Sequence, residues 1–113
     1  MLEEIRNNCL KLKGTTENIK WENHLCFCVA EKMYLVTAPD TLPVSASFKA
    51  SDEDFELLIN RDGIIPAPYM ARHKWVHIDN IERFSIDELS DYARKSYELV
   101  KSKLPRKVQS DLN

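Results

Sequence analysis

The most distinctive local chemistry of this sequence lies between Gly63 and Val76. Pro66 and Pro68 bias the residue before each of them toward extended backbone, and neither can donate a ladder hydrogen bond. We therefore predict that residues 64–68 form a stiff extended connector, and neither a helix interior nor a central strand. The connector leads into a group of large polar and aromatic side chains: Tyr69, Arg72, His73, Lys74 and Trp75.

Basic and aromatic side chains of this group, together with Lys49, form the candidate surface for nucleic acid. Basic side chains neutralise phosphates, and an aromatic ring can stack on an exposed base. A packing interpretation stays open, because a tryptophan in a small domain commonly closes the core while its basic neighbours are solvated. The residues of the candidate nucleic-acid site are Lys49, Tyr69, Arg72, Lys74 and Trp75.

A second basic group follows at the end of the last predicted helix. It either extends the candidate surface or complements the negative end of the helix dipole, and the sequence leaves both interpretations open. Its members are Lys101, Lys103, Arg106 and Lys107.

The cysteines and histidines offer the other candidate chemistry. His24 and Cys26 lie two residues apart on a predicted strand and share a face, as a Cys–His nucleophile requires, but no third group or oxyanion-hole pattern accompanies them. A zinc site needs about four ligands in paired clusters. His73 and His77 fall in a turn-to-strand region and do not supply a second pair for Cys26 and Cys28. We expect no enzyme active site, no metal and no cofactor.

The charge balance excludes a strongly basic nucleic-acid domain. The chain has 16 basic and 18 acidic residues, a net charge of -2 and a pI of about 5.9, whereas nucleic-acid domains usually have a pI above ~9. Residues 1–60 carry 6 basic and 10 acidic side chains, and residues 61–113 carry 10 and 8. A local basic face is therefore compatible with the sequence, and a strong field over the whole domain is not.

The N-terminal sequence and the hydropathy pattern bear on location. The chain begins Met-Leu-Glu-Glu, which is acidic and unlike a signal peptide. No apolar run approaches the ~20 residues needed to cross a bilayer. We expect a monomeric cytoplasmic protein with no membrane contact and with reduced cysteines.

Hydrophobic periodicity and capping residues predict the elements. Gly14 is placed to end a first helix, Ser51 to begin a second, and Ser85 with Glu88 to form the capping box of a last helix that Pro105 ends. Phe84 and Leu89 fit a hydrophobic staple on that helix. The predicted helices cover residues 2–13, 51 to about 63, and 85–104; the predicted strands cover 25–30, 33–37, 44–49 and 75–78, with a short strand at 19–22 and turns at 15–17 and 31–32.

This order predicts an α+β fold in which an antiparallel sheet packs against helices. The element order is one helix, three or four strands, a helix, a strand and a final helix. We expect a single domain over residues 1–105, followed by a short polar tail at 106–113.

Five blocks of the sequence carry a family resemblance. They are Leu12-Lys13-Gly14-Thr15-Thr16-Glu17, the Lys32-Met33 turn into a strand, Ser47-Phe48-Lys49, the block from Gly63-Ile64-Ile65-Pro66 to Trp75-Val76, and the helix from Ser96-Tyr97-Glu98-Leu99-Val100 to Lys103-Leu104-Pro105. In this order and spacing the chain resembles the MmcQ/YjbR family of small bacterial proteins over nearly its whole length.

The resemblance implies a CyaY-like, or double-wing, α+β domain whose helices lie against an antiparallel sheet. The family is commonly labelled DNA-binding, so DNA is the partner that the resemblance implies. In that case Lys49, Arg72 and Lys74 meet phosphates while Trp75 or Tyr69 packs beside a sugar or base. The alternative is a chaperone-like protein–protein interaction module that uses the sheet face or residues 66–75. Both functions are non-enzymatic.

Overall fold

A six-stranded antiparallel sheet organises the chain. The computed structural model describes residues 1–68 and 70–112. The strands are β1 (Thr15–Lys20), β2 (His24–Val29), β3 (Lys32–Ala38), β4 (Ser45–Lys49), β5 (Ile64–Pro66) and β6 (Trp75–Ile78), in the sheet order β1-β2-β3-β4-β6-β5. The helices are α1 (Leu2–Leu10), α2 (Asp52–Leu58), α3 (Ile86–Ser102) and α4 (Arg106–Leu112), with 3-10 turns at Ala71–His73 and Ile81–Arg83. The predicted α+β class is confirmed.

One face of the sheet packs against helices to form the core. Phe27, Leu35, Phe48 and Val76 are cross-strand neighbours in the register, and all four are fully buried. Because side chains alternate along a strand, this row defines the core face. Buried side chains of α1, α2 and α3 complete the same core, and these include Ile5, Phe55, Leu58, Leu89 and Tyr97.

The long helix α3 begins where its sequence predicts. The Ser85 hydroxyl accepts a hydrogen bond from the backbone N–H of Glu88 at 3.1 Å. Phe84 and Leu89 are both buried, as the staple requires. The helix ends before Pro105, as expected of a residue that cannot continue the hydrogen-bond ladder.

A bulge in β3 joins the sheet to α3. Phe27 pairs with Leu35 and Cys28 pairs with Met33, which leaves Tyr34 as an extra residue. The Ser96 hydroxyl of α3 donates a hydrogen bond to the Tyr34 carbonyl at 2.6 Å and accepts one from the Lys49 N–H at 3.0 Å. A bulge leaves backbone groups outside the ladder, and this one side chain satisfies two of them at adjacent strands.

Several predicted boundaries at the N-terminal end are wrong. The first helix ends at Leu10, before the predicted residue 13. Residues 15–17, predicted as a turn, belong to β1, whose six residues all pair with β2. The turn lies instead at Trp21 and Glu22, which both have positive φ. The next hairpin turn is at Ala30 and Glu31, one residue before the predicted position.

The second half of the chain contains a strand and a helix beyond those predicted. Residues 64–66 pair with β6 as the edge strand β5. An edge position tolerates Pro66, which has no N–H to donate, and it agrees with the prediction that this segment is not a central strand. Residues 106–112 form α4, where Val108 and Leu112 pack on the core.

Candidate nucleic-acid interface

Three strand ends meet at one end of the sheet and bring the candidate residues together. The strands are antiparallel, so the start of β3, the end of β4 and the start of β6 lie side by side. Lys49 pairs directly with Trp75 in this register. The C-terminal end of α3 lies at the same place and contributes Val100, Lys103 and Leu104 to a shared cleft.

This basic cleft has a volume of about 500 Å³ and combines lysines with an apolar floor. Its cationic rim consists of Lys32 from β3, Lys49 from β4 and Lys103 from the end of α3, with His73 beside them. None of the described lining residues is acidic. The apolar lining residues are Met33, Met70, Trp75, Val100 and Leu104.

Lys49 is held in place by the surrounding backbone. Its ammonium group donates to the His73 carbonyl at 2.6 Å, and its N–H is bound by Ser96. Burial lowers the pKa of the Lys49 ammonium from its usual 10.5, and the nearby charge of Lys103 lowers this pKa further, with Asp52 opposing.

The structure separates the predicted site residues. Lys49 and Trp75 line the basic cleft, although Trp75 is only 5% exposed and also packs as a core residue would. Lys74 points elsewhere, because its Nζ lies 4.9 Å from the ring centroid of Phe55 in α2. Arg72 is exposed and donates to the His73 ring at 3.3 Å, outside the cleft lining. Tyr69 lies outside the described residues.

The basic group near the C-terminus is also divided. Lys103 lines the cleft, whereas Lys101 lies with its Nζ 5.7 Å from the ring centroid of Tyr97. Arg106 and Lys107 are exposed on α4 and do not line the cleft.

The face of the sheet opposite the core holds a second cavity of about 470 Å³, the sheet-face cavity. Val36, Ser47 and His77 lie side by side across β3, β4 and β6 in the row next to the buried core row. None of the described helices contributes to the lining of this cavity. Trp21, His24, Met33, Met70, Trp75, Ala67 and Pro68 complete much of it.

A serine–histidine pair lies inside the sheet-face cavity. Ser47 Oγ and His77 Nδ1 are 2.9 Å apart across the β4–β6 ladder. Burial lowers the pKa of His77 from 6.5, with Asp79 opposing, which favours the neutral imidazole near pH 7. At the far end of the cavity, His24 stands edge-on to Trp21, and its Nδ1 is buried with no hydrogen-bond partner in the described chain.

The cysteines do not form the Cys–His pair that their spacing suggests. The Cys26 thiol faces the His24 carbonyl at 3.8 Å rather than its ring, and the residue is fully buried. Burial raises the pKa of Cys26, and the neighbouring Cys28 raises it further. Burial also raises the pKa of Cys9, to about 11. Raised pKa values keep these groups as thiols, the unreactive form.

Sequence reasoning missed Lys32, Met33, Met70 and the Ser47–His77 pair. The sequence pattern places Lys32 only in a turn. The position of Lys103 near the end of the last helix is explained equally well by the helix dipole. Their convergence depends on the strand order β3-β4-β6, since β6 is distant in sequence from β3. The available signal was the alternation of side chains along a strand. Ser47 is the sequence neighbour of the core residue Phe48, and His77 is the neighbour of the core residue Val76, so both lie on the face away from the core.

The described residues were also searched for metal-binding clusters and for membrane-spanning helices. No cluster of three or more histidine, cysteine or acidic side chains in residues 1–68 and 70–112 is arranged to hold a metal ion. Within the same ranges, no helix combines the length and the apolar character that crossing a membrane demands.

Comparison with known proteins gives a family and two similar folds. The sequence model of the YjbR family matches residues 10–99. A Deinococcus radiodurans protein with a DUF419 domain has a similar structure, with a TM-score of 0.87 and 23% identity, covering 99% of this chain and 87% of that one. A Pseudomonas syringae protein is similar with a TM-score of 0.68 and 18% identity, covering 86% of this chain and 96% of that one. No functionally curated protein matches the chain.

Proposed function

The chain belongs to the YjbR family, and we propose that it is a non-enzymatic binding protein that holds DNA phosphates in the basic cleft. The observation that carries this proposal is the convergence of Lys32, Lys49 and Lys103 on one cleft whose described lining contains no acid. Three cations from three elements give a spaced array, which suits a polymer of phosphates. The DNA label of the family agrees with this chemistry.

Repulsion among the lysines supports an anionic ligand. Burial lowers the pKa of Lys49 most, the nearby charge of Lys103 lowers this pKa further, and Asp52 opposes. A phosphate between these ammonium groups would replace repulsion by attraction and favour the charged form of Lys49. The hydrogen bond from Lys49 Nζ to the His73 carbonyl keeps the ammonium near the cleft before a ligand arrives.

The small number of cations sets the expected strength. The whole chain carries a net charge of -2, so attraction at long range is weak. Affinity should therefore come from the few contacts in the cleft and fall steeply with salt. On this proposal the protein acts as a monomer in the cytoplasm, where a bacterial protein meets DNA.

The chemistry of the nucleophile candidates supports binding without turnover. Buried Cys26 has a raised pKa, which disfavours the thiolate. His77 contacts Ser47, but a base of this kind also needs an orienting partner. The nearby Asp79 carboxylate is engaged by the Arg83 guanidinium, with 2.5 Å from Oδ1 to Nε. Cys26→Ala and His77→Ala should therefore remove no catalytic turnover; a turnover lost in a folded variant would contradict this.

Fluorescence anisotropy with labelled DNA at low salt tests the proposal. The Lys32→Gln/Lys103→Gln variant should bind at least ~10-fold more weakly than wild type, because two phosphate contacts are lost. The matched control is Lys11→Gln/Arg94→Gln, which removes two exposed positive charges from residues that do not line the cleft. Equal weakening in both variants, or no binding by wild type, would refute the cleft as the DNA site.

A protein partner on the sheet face is the second candidate function. Trp21 and Ile65 are 62% and 51% exposed beside the open face, and exposed large apolar side chains of this kind often belong to interaction surfaces. The same anisotropy experiment discriminates between the two functions. Absence of DNA binding by folded wild-type protein, together with a protein captured by wild type and lost in Trp21→Ala and Ile65→Ala, would favour an apolar contact over phosphate recognition.

A further inference from the structure

The basic cleft and the sheet-face cavity are neighbours that share part of their lining. Met33, Met70 and Trp75 line both of them, so the two spaces meet at these three side chains. The cavity volumes, about 470 and 500 Å³, both fall in the range of roughly 300–1,000 Å³ that is usual for ligand sites. A ligand that occupies one space is therefore within reach of the other.

The two spaces differ sharply in charge. The described lining of the sheet-face cavity contains no lysine, arginine, aspartate or glutamate, whereas three lysines surround the basic cleft. Among the described lining residues, Ser45, Ser47, Thr37, His24 and His77 bring polar side chains, beside the indole N–H groups of the two tryptophans. A nucleotide has the same division, with a neutral planar base attached through a sugar to an anionic phosphate.

The cavity lining suits a planar heteroaromatic ring. Both tryptophans of the chain, Trp21 and Trp75, lie in it, and they are accompanied by Met33 and Met70. Aromatic rings stack on bases of any sequence, and methionine makes favourable contacts with aromatic edges. Trp21, which is 62% exposed, offers a ring face to a base, whereas the 5%-exposed Trp75 borders the cavity; neither fixes which base it is.

Two histidine ring nitrogens at the cavity lack a hydrogen-bond partner in the described chain. His77 uses Nδ1 on Ser47, and its Nε2 makes no hydrogen bond within the described chain. His24 Nδ1 is buried without a partner in that part of the protein. Buried polar atoms are normally satisfied, so His24 Nδ1 is the atom whose missing partner a base edge would supply.

From this juxtaposition we propose that the sheet-face cavity receives one unstacked base of the strand whose phosphates occupy the basic cleft. The inference rests on the proposed function, and it makes single-stranded DNA the preferred ligand. In a duplex each base is stacked and paired, so it reaches the cavity only after the cost of extrusion. The basic cleft alone would bind single and double strands according to their phosphates.

Intrinsic fluorescence tests this inference directly, because both tryptophans lie at the cavity. Wild-type protein is titrated with a short oligothymidine strand, with an abasic strand of equal length, and with a duplex of that length. We expect oligothymidine to quench the fluorescence and to bind on the order of 10-fold more tightly than the abasic strand, as expected for one stacked base. The duplex should bind more weakly than oligothymidine, because its bases stay stacked and paired.

A cavity-filling variant gives the matched comparison. Ser45→Phe adds a ring inside the sheet-face cavity, away from the residues of the basic cleft. It should lose the preference for oligothymidine but keep salt-dependent binding of the abasic strand. Ser110→Phe adds the same ring at an exposed position of α4, outside both linings, and should behave as wild type.

The outcomes separate this inference from the function on which it rests. Equal affinity for oligothymidine and the abasic strand, with unchanged fluorescence, would overturn the base site and leave phosphate binding intact. Absence of binding by every strand at low salt would overturn both. A folded Ser45→Phe protein that still prefers oligothymidine would also overturn the base site, because the ring would then bind elsewhere.

Discussion

Replacing Ser96 by alanine should destabilise the protein far more than the loss of one hydroxyl suggests. Ser96 is fully buried, and its hydroxyl joins the carbonyl of the bulge residue Tyr34 to the N–H of Lys49. Alanine leaves both backbone groups without their partner. The position also matters for function, because the Lys49 end of β4 forms one side of the basic cleft.

The expected magnitude follows from the two orphaned groups. Each unsatisfied buried group costs about 1–3 kcal/mol, and partial relaxation brings the combined loss in the free energy of unfolding to roughly 2–4 kcal/mol. The unfolding entropy is about 2.1 cal/mol/K per residue, so for a 113-residue domain each kcal/mol lost from the free energy of unfolding lowers Tm by roughly 4 °C. The Ser96→Ala variant should therefore melt roughly 8–17 °C below wild type.

Urea and thermal unfolding measure this loss, and amide hydrogen exchange locates it. Ser102→Ala is the matched control, since the hydroxyl of that exposed serine donates to the Leu99 carbonyl of its own helix, and the variant should stay within about 0.5 kcal/mol of wild type. The Lys49 amide should exchange faster in Ser96→Ala. A loss below about 0.5 kcal/mol, with Lys49 still protected, would refute the account of the bulge.

Two further predictions concern stability. Burial lowers the pKa of His77 below 6.5, so on acidification the unfolded chain takes up a proton at this residue before the folded chain does, and stability falls as pH drops below 6.5. Urea unfolding between pH 7 and pH 5 should give a weaker pH dependence for His77→Gln than for wild type; an identical dependence would contradict the assignment. Gly63 has a φ of +80°, where an added Cβ would meet the Arg83 and Asp79 side chains. Gly63→Ala should cost roughly 1–2 kcal/mol from backbone strain alone, and an unchanged Tm would contradict this.

Elements with strong local signals were predictable from the sequence. The Ser85 cap and the Pro105 stop bound α3 because capping and proline geometry act within a few residues. Alternation in residues 45–49 identified β4 for the same reason. β1 was missed at Thr15-Thr16-Glu17, because its identity as a strand depends on pairing with β2 rather than on its own polar composition.

The candidate site was only partly predictable, because it depends on strand order. Lys49 and Trp75 could be nominated from residue type, and their direct pairing requires β4 and β6 to be neighbours. Lys74 shows the reverse case, because it adjoins Trp75 in sequence but does not line the cleft. Its φ of 64° turns the chain between a 3-10 turn and β6, and its ammonium lies over Phe55, so nearness in sequence to Trp75 did not place it in the cleft.

The salt dependence of oligothymidine binding tests the central claim most directly. Three lysines on phosphates give a slope of log affinity against log salt of about -2, so binding should weaken roughly 20-fold between 50 and 200 mM salt. In Lys32→Gln/Lys103→Gln only Lys49 remains, and the slope should fall to about -0.7. Lys11→Gln/Arg94→Gln should keep the wild-type slope. A double lysine variant with the wild-type slope would contradict the claim that phosphates occupy the basic cleft.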